Sequence, residues 1–218
     1  MSEVMRTERG FDRLVNFSDA VVAIAITLLI LPLVDTATEL DGMTLSELFE
    51  KDGQKLLVFV ISFVVIGRFW LAHHRIYERI VSYNTTLIWV NMFWLLTIVF
   101  LPFPTELIAT TGSANPDTTL LYVGTMLATS VSSAAQQWVI VRSPDLQAPE
   151  VRGTLTVLPS LATSVMMLVV LLVALALPDL GLLPLLLLLF TGPVLAVLNR
   201  VEKRRALRAG RARPTPSE

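Results

Sequence analysis

The chain has 218 residues, of which 54% are hydrophobic and 16% charged, with a mean hydropathy of +0.67 and a net charge of -1. A soluble domain carries about 25% charged residues, so most of this surface does not face water. There is no cysteine, which excludes disulfides, thiolate metal sites and thiol catalysis.

The N-terminal stretch MSEVMRTERGFDR is polar and lacks the apolar core and cleavage site of a signal peptide, so the first apolar run is expected to stay in the mature protein. A helix needs about 20 mostly apolar residues to cross the hydrocarbon core. Six stretches qualify. The first runs from Phe17 to Val34. The second runs from Leu56 to Ala72, with its helix continuing to Ile80. The third covers Thr86 to Phe103, where prolines are expected to end the helix. The fourth, Thr119 to Val141, is the most polar and is rich in small residues that suit close helix packing in lipid. The fifth (Leu155 to Leu177) and sixth (Leu180 to Leu198) are Leu/Val-rich, as expected of lipid-facing helices. The chain divides into a six-helix membrane domain, residues 1–200, and a basic tail, residues 201–218.

Topology follows from where Lys and Arg fall. One set of flanks holds Arg6, Arg9, Arg13, Arg75, Arg79, Arg142 and Arg152, together with Arg200, Lys203, Arg204, Arg205, Arg208, Arg211 and Arg213. The opposite flanks hold only Lys51 and Lys55 and are otherwise acidic, while Arg68 lies within the second span. The fourteen cations share one side only if the spans number six and both termini are cytoplasmic. Trp89, Trp94, Trp138 and Tyr83 read as interfacial or packing aromatics.

The first span carries a charged residue, Asp19, which is costly near the bilayer and should face protein or water. Asp19 and Ser18 also suit a helix first turn, through capping and the dipole, so a structural and a direct functional role both stand. Ile24, Thr27, Leu28 and Leu31 form one stripe about 100° wide, with Asp19 about 140° around the helix from Ile24. For any membrane helix, packing is the default reading of such a stripe.

The second span ends in Arg68, Trp70, His73, His74 and Arg75. Adjacent histidines point about 100° apart and chelate metal poorly compared with i, i+4 spacing. The chain has no other His to complete a site. A structural partnership of one histidine with Asp19 is the preferred reading. Asn91 is a polar residue in the apolar third span and is expected to hydrogen-bond between helices. There is no nucleophile elbow, HExxH, phosphate-binding glycine loop or paired intramembrane acids, so an enzyme is not expected. Nor is there a TVGYG-type filter.

The string Arg13-x-x-x-Phe17-Ser18-Asp19, followed by Ala23-Ile24-Ala25-Ile26-Thr27-Leu28-Leu29, resembles the signature of the transmembrane protein 175 family of cation channels. Trp70-Leu-Ala-His73-His74, Asn91 and Leu101-Pro102-Phe103-Pro104-Thr105 are further points of similarity. The resemblance covers the first three spans well and the rest by topology alone. It implies an all-α polytopic protein with six transmembrane helices per subunit, assembled as a homotetramer with the first helix lining the pore. It turns the apolar stripe into a pore constriction at Ile24, Leu28 and Leu31, with Thr27 contributing to potassium preference. It assigns Arg13, Ser18 and Asp19 to a buried polar network, with His73, His74 and Asn91 as partners. The expectation is a potassium-permeable channel of the cell membrane with no cofactor, no bound metal beyond permeant K+ and no nucleic-acid partner. The alternative is a proton-coupled secondary transporter using Asp19, His73 and Arg68 as a relay; broken helices and an inverted repeat would mark it, and neither is evident.

Overall fold

The protein is described by a computed structural model covering residues 4–5, 8–38, 44–112, 115–180 and 182–190. The first span is two helices, α1 (Glu8–Leu28) and α2 (Leu31–Thr38). The break has a local cause. Pro32 has no N–H to donate to the carbonyl one turn back, so the chain tightens at Leu29 and Ile30. Ile30 N donates to Thr27 O at 3.3 Å, and Leu33 N and Val34 N both donate to Ile30 O, at 3.0 and 3.1 Å, to start the next helix.

Helix α3 (Leu45–Tyr77) has 33 residues, about 50 Å at 1.5 Å per residue against a hydrocarbon core of about 30 Å. It starts well before the expected Leu56 because its polar first turns are stabilised outside the apolar window. Thr44 and Glu47 form a reciprocal capping box, and the hydrogen bonds from Thr44 hold the Glu47 carboxyl below the usual carboxylate range. Lys55 pairs with Asp52 at 2.9 Å. The third span also departs from expectation. Helix α4 (Thr85–Phe100) does not end at the prolines but bends at Leu101 and resumes as α5 (Pro102–Thr111). Pro102 and Pro104 occupy the first turn of α5, where a missing N–H costs nothing, and Thr105 N donates back to Leu101 O at 3.1 Å.

Helix α6 (Pro116–Arg142) has 27 residues, and α7 (Leu158–Ala176) has 19. Among the described residues four helical spans are long and apolar enough to cross a membrane: Arg9–Asp35, Asp52–Tyr77, Thr85–Thr111 and Leu158–Ala176. Helix α6 falls outside this set because its Thr, Ser and Gln residues lower its hydropathy. Those residues are inward: Thr125, Thr129, Ser130, Ser132, Gln136 and Gln137 are all buried, and α6 packs most extensively against α7 and α4. Beyond α7, residues Leu183–Phe190 form a 3₁₀ segment. Residues 191–218, which hold the rest of the expected sixth helix and the basic tail, lie outside the described residues.

Backbone pairing gathers one end of the bundle. Strand β1 (Val4–Met5) pairs antiparallel with β2 (Tyr83–Asn84), in the α3–α4 connection, a small exception to the expected all-α fold. The same connection bridges to the α6–α7 loop through Ile80 and Gln147. Val81 N donates to Leu146 O at 2.9 Å, and Ala148 N donates to Arg79 O at 3.0 Å. The buried Gln147 side chain closes that loop, donating to Ile140 O and accepting from Gly153 N. These contacts bring the flanks bearing Arg9, Arg13, Arg75, Arg79, Arg142 and Arg152 to one end. A small core of Tyr77, Ile80, Leu87, Val139, Ile140 and Leu146 fills that end. The main core, around Ile66, Trp94, Ile98, Tyr122, Met126 and Val170, holds the helices together along their length.

Candidate functional site

Helix α1 presents two opposed faces. Ser18, Val22, Ala25 and Leu29 are buried, a spacing of four, three and four residues that keeps them on one side of a helix. On the other side Phe17 (53% exposed), Ile24 (61%), Leu28 (40%) and Leu31 (52%) touch little of their own chain. Thr27 is exposed on the same side, and its Oγ1 donates to Ile24 O at 2.8 Å. That bond uses the hydroxyl proton within the helix and leaves the oxygen lone pairs outward. The broad apolar face thus ends at the Pro32 break.

The buried face is held by a hydrogen-bonded chain crossing three helices. Ser18 Oγ donates to Leu14 O at 2.9 Å. Asn91 Nδ2, from α4, donates to Ser18 Oγ at 2.9 Å. Asn91 Oδ1 lies 2.9 Å from His73 Nε2, on α3. The direction of the chain is determined at its end: a carbonyl only accepts, so Ser18 donates to it and must accept from the amide nitrogen. The amide oxygen then faces His73, and Nε2 carries a proton. All three side chains are buried. The His73 ring is sandwiched between Tyr77 and Trp94, with centroids at 4.1 and 4.2 Å, so the imidazole is fixed by stacking as well as by its hydrogen bond.

Asp19 makes a separate link. Its Oδ1 accepts from Trp70 Nε1 at 2.8 Å, so its partner is the indole and not a histidine. Trp70 in turn stacks on His74 at 5.4 Å, and His74 Nε2 lies 3.2 Å from Glu78 Oε1. The structure therefore brings together Ser18, His73 and Asn91. It places Asp19 beside them through Trp70, sets His74 at the exposed margin, and leaves Arg13 exposed at the start of α1. No hydrogen bond joins Asp19 to His73, and Arg68 is an exposed residue of α3. Among the described residues no three His, Asp or Glu side chains form a metal-ligating group.

A second polar cluster lies outside the residues singled out from sequence. Ser62, Thr105 and Tyr122, from α3, α5 and α6, meet in the core, with Ser62 Oγ 2.7 Å from Tyr122 Oη and 3.1 Å from Thr105 Oγ1. Hydroxyls in apolar runs were the only available signal. The tryptophans divide: Trp94 is fully buried, Trp89 is 70% exposed, and Trp138 is exposed beneath the Arg142 guanidinium at 4.3 Å.

Residues 13–102, which run from within α1 through α4 and hold this brace, match the family described as endosomal/lysosomal potassium channel TMEM175. A potassium channel of Streptomyces collinus is 30% identical over 151 residues, covering 65% of this chain and 72% of that protein. The chain belongs to the TMEM175 family. The TMEM175 proteins are ion channels, not enzymes. The human endosomal/lysosomal proton channel TMEM175 is 29% identical over 148 residues, which is 64% of this chain but 28% of the human protein. Among solved structures, a lysosomal potassium-selective channel TMEM175 homolog from Chamaesiphon minutus superposes with a TM-score of 0.56 at 22% identity, over 84% of this chain and 98% of that one. At that identity the likeness is one of fold, and it extends past the sequence match into α6 and α7.

Proposed function

We propose that this TMEM175-family chain forms a potassium-permeable cation channel in the cell membrane, built from four copies around a pore lined by α1. The observation that carries the reading is the two-faced α1. Its small buried face is bonded into the subunit, while its bulky apolar face is left uncovered by the subunit's own helices. Ile24, Leu28 and Leu31 form the neck, which dewets and opposes ion passage unless it widens. Thr27, with its proton held by Ile24 O, offers an oxygen to a partly dehydrated potassium ion. Residues 1–200 make the six-helix unit, and residues 201–218 a basic tail. The arginine-bearing end is cytoplasmic, by the charge asymmetry of the flanks. Ser18, Asn91, His73 and the Asp19–Trp70 pair brace α1, while Arg13 stays exposed at the helix start. The bacterial relative named a potassium channel supports the choice of ion. Because the human relative is named a proton channel, the test includes a proton gradient.

The test is purification in detergent, mass measurement, then recording in bilayers with asymmetric potassium and sodium and, separately, a pH step. A fourfold mass and currents reversing near the potassium equilibrium potential are expected. A monomeric mass, or flux that stops without a proton gradient, would reject the channel in favour of a carrier.

A further inference from the structure

We propose that the cleft between α3, α6 and α7 at the arginine-bearing end binds the phosphate headgroup of an anionic phospholipid. The cleft is about 660 Å³ and is lined by Phe69, Ala72, Arg75 and Ile76 of α3 and Arg79 just beyond it, with side chains of α6, α7 and the loop between them. That volume falls within the roughly 300–1,000 Å³ of small-molecule sites. Its lining holds two arginines and no acidic side chain. Neither Arg75 nor Arg79 makes an ion pair among the described residues.

Most of the hydroxyls that share the cleft are already engaged as donors. Ser133 donates to Thr129 O, Ser160 to Val157 O and Thr163 to Pro159 O. The two guanidinium groups are therefore the strong donors left, and they match phosphate oxygens in charge and geometry. Apolar character is graded along α3. Arg75 lies near the end of α3 and Arg79 just beyond it, while Ile76, Ala72 and Phe69 run inward over about 10 Å of helix. Charge at the boundary and an apolar wall running into the membrane fit an amphiphile, with a phosphate at the mouth and an acyl chain along α3. Basic pockets between helices at a membrane boundary have this chemistry. The site is separate from the exposed face of α1, and it depends on the chain spanning a membrane but not on its conducting ions.

The test uses the purified full-length protein delipidated in detergent and offered phosphatidylglycerol or phosphatidylcholine, with retained lipid counted by native mass spectrometry. Preferential retention of phosphatidylglycerol is expected, falling on the order of tenfold in the R75Q/R79Q variant, because each cation contributes at roughly the level of a surface charge against an anionic lipid. The R75K/R79K variant should keep most of the binding. If the glutamine variant does not fold by gel filtration, Ala72→Phe, which fills the apolar wall and leaves both charges, should lose the lipid instead. Equal retention of phosphatidylcholine, or unchanged retention by whichever variant folds, overturns the proposal. So does displacement of the lipid by millimolar inorganic phosphate, which would make the site one for a soluble anion.

Discussion

His73 shows how a single side chain is determined by its surroundings. It is buried, stacked between Tyr77 and Trp94, and hydrogen-bonded to an amide that is itself oriented by Ser18. Removing either end of such a chain strands a buried polar group, which costs about 1–3 kcal/mol. His73→Phe, which keeps the stack but strands the Asn91 amide, should therefore lower the thermal unfolding midpoint in detergent more than the same change combined with Asn91→Leu, which removes both partners. Equal midpoints for the two variants would mean that the hydrogen bond contributes nothing. Asp19 gives a second residue-scale expectation. Trp70→Phe and Asp19→Asn each weaken one link worth about 0.6 kcal/mol, up to about 1.7, so both should reduce tetramer yield on gel filtration while leaving ion preference alone. Altered ion preference with normal yield would move Asp19 from bracing to permeation.

Ser18, Asn91 and His73 were legible in the sequence as polar residues in apolar runs. Their pairing was not, because it depends on how three helices rotate against one another. The indole donor to Asp19 was hidden for another reason: a tryptophan in an apolar run reads as packing until its N–H is seen to have a partner.

At the scale of elements, helix type was legible in the first five apolar runs, but the described part of the sixth, Leu183–Phe190, is a 3₁₀ segment. The start of α3 lies in polar sequence because a capping box and an ion pair support it. The prolines after α4 read as a stop, yet they only bend the chain, since the first turn of α5 has no need of their N–H groups. Helix α6 reads as the poorest membrane span and is the best buried of the long helices, its polar side chains turned into the bundle. One of them is not satisfied: both amide atoms of Gln136 are buried without a hydrogen-bond partner among the described residues. Gln136→Met, close in volume and without polar atoms, should raise thermal stability by about 1 kcal/mol. A drop in the unfolding midpoint would show that the amide has a partner outside the described residues.

At the scale of the whole molecule, charge asymmetry and backbone pairing agree. Among the described residues, the arginines that the span count puts on one side, Arg9, Arg13, Arg75, Arg79, Arg142 and Arg152, are carried by segments that hydrogen-bond to one another at one end of the bundle. The bulky apolar face of α1 lies uncovered in a single subunit, and the proposed assembly of four copies would cover it. Truncating the neck should show this directly: Ile24→Ala or Leu28→Ala should raise single-channel conductance or loosen selectivity, and unchanged currents in both would remove these residues from the pore. Because the chain has no cysteine, a thiol can be placed at one position at a time without background. The most direct measurement is bilayer recording of Ile24→Cys during addition of silver ion, a monovalent cation that binds thiolates, with Val165→Cys on the exposed face of α7 as control. If α1 lines the pore, silver should abolish the Ile24→Cys current within the recording and leave the Val165→Cys current intact; a silver-insensitive Ile24→Cys current would contradict the account.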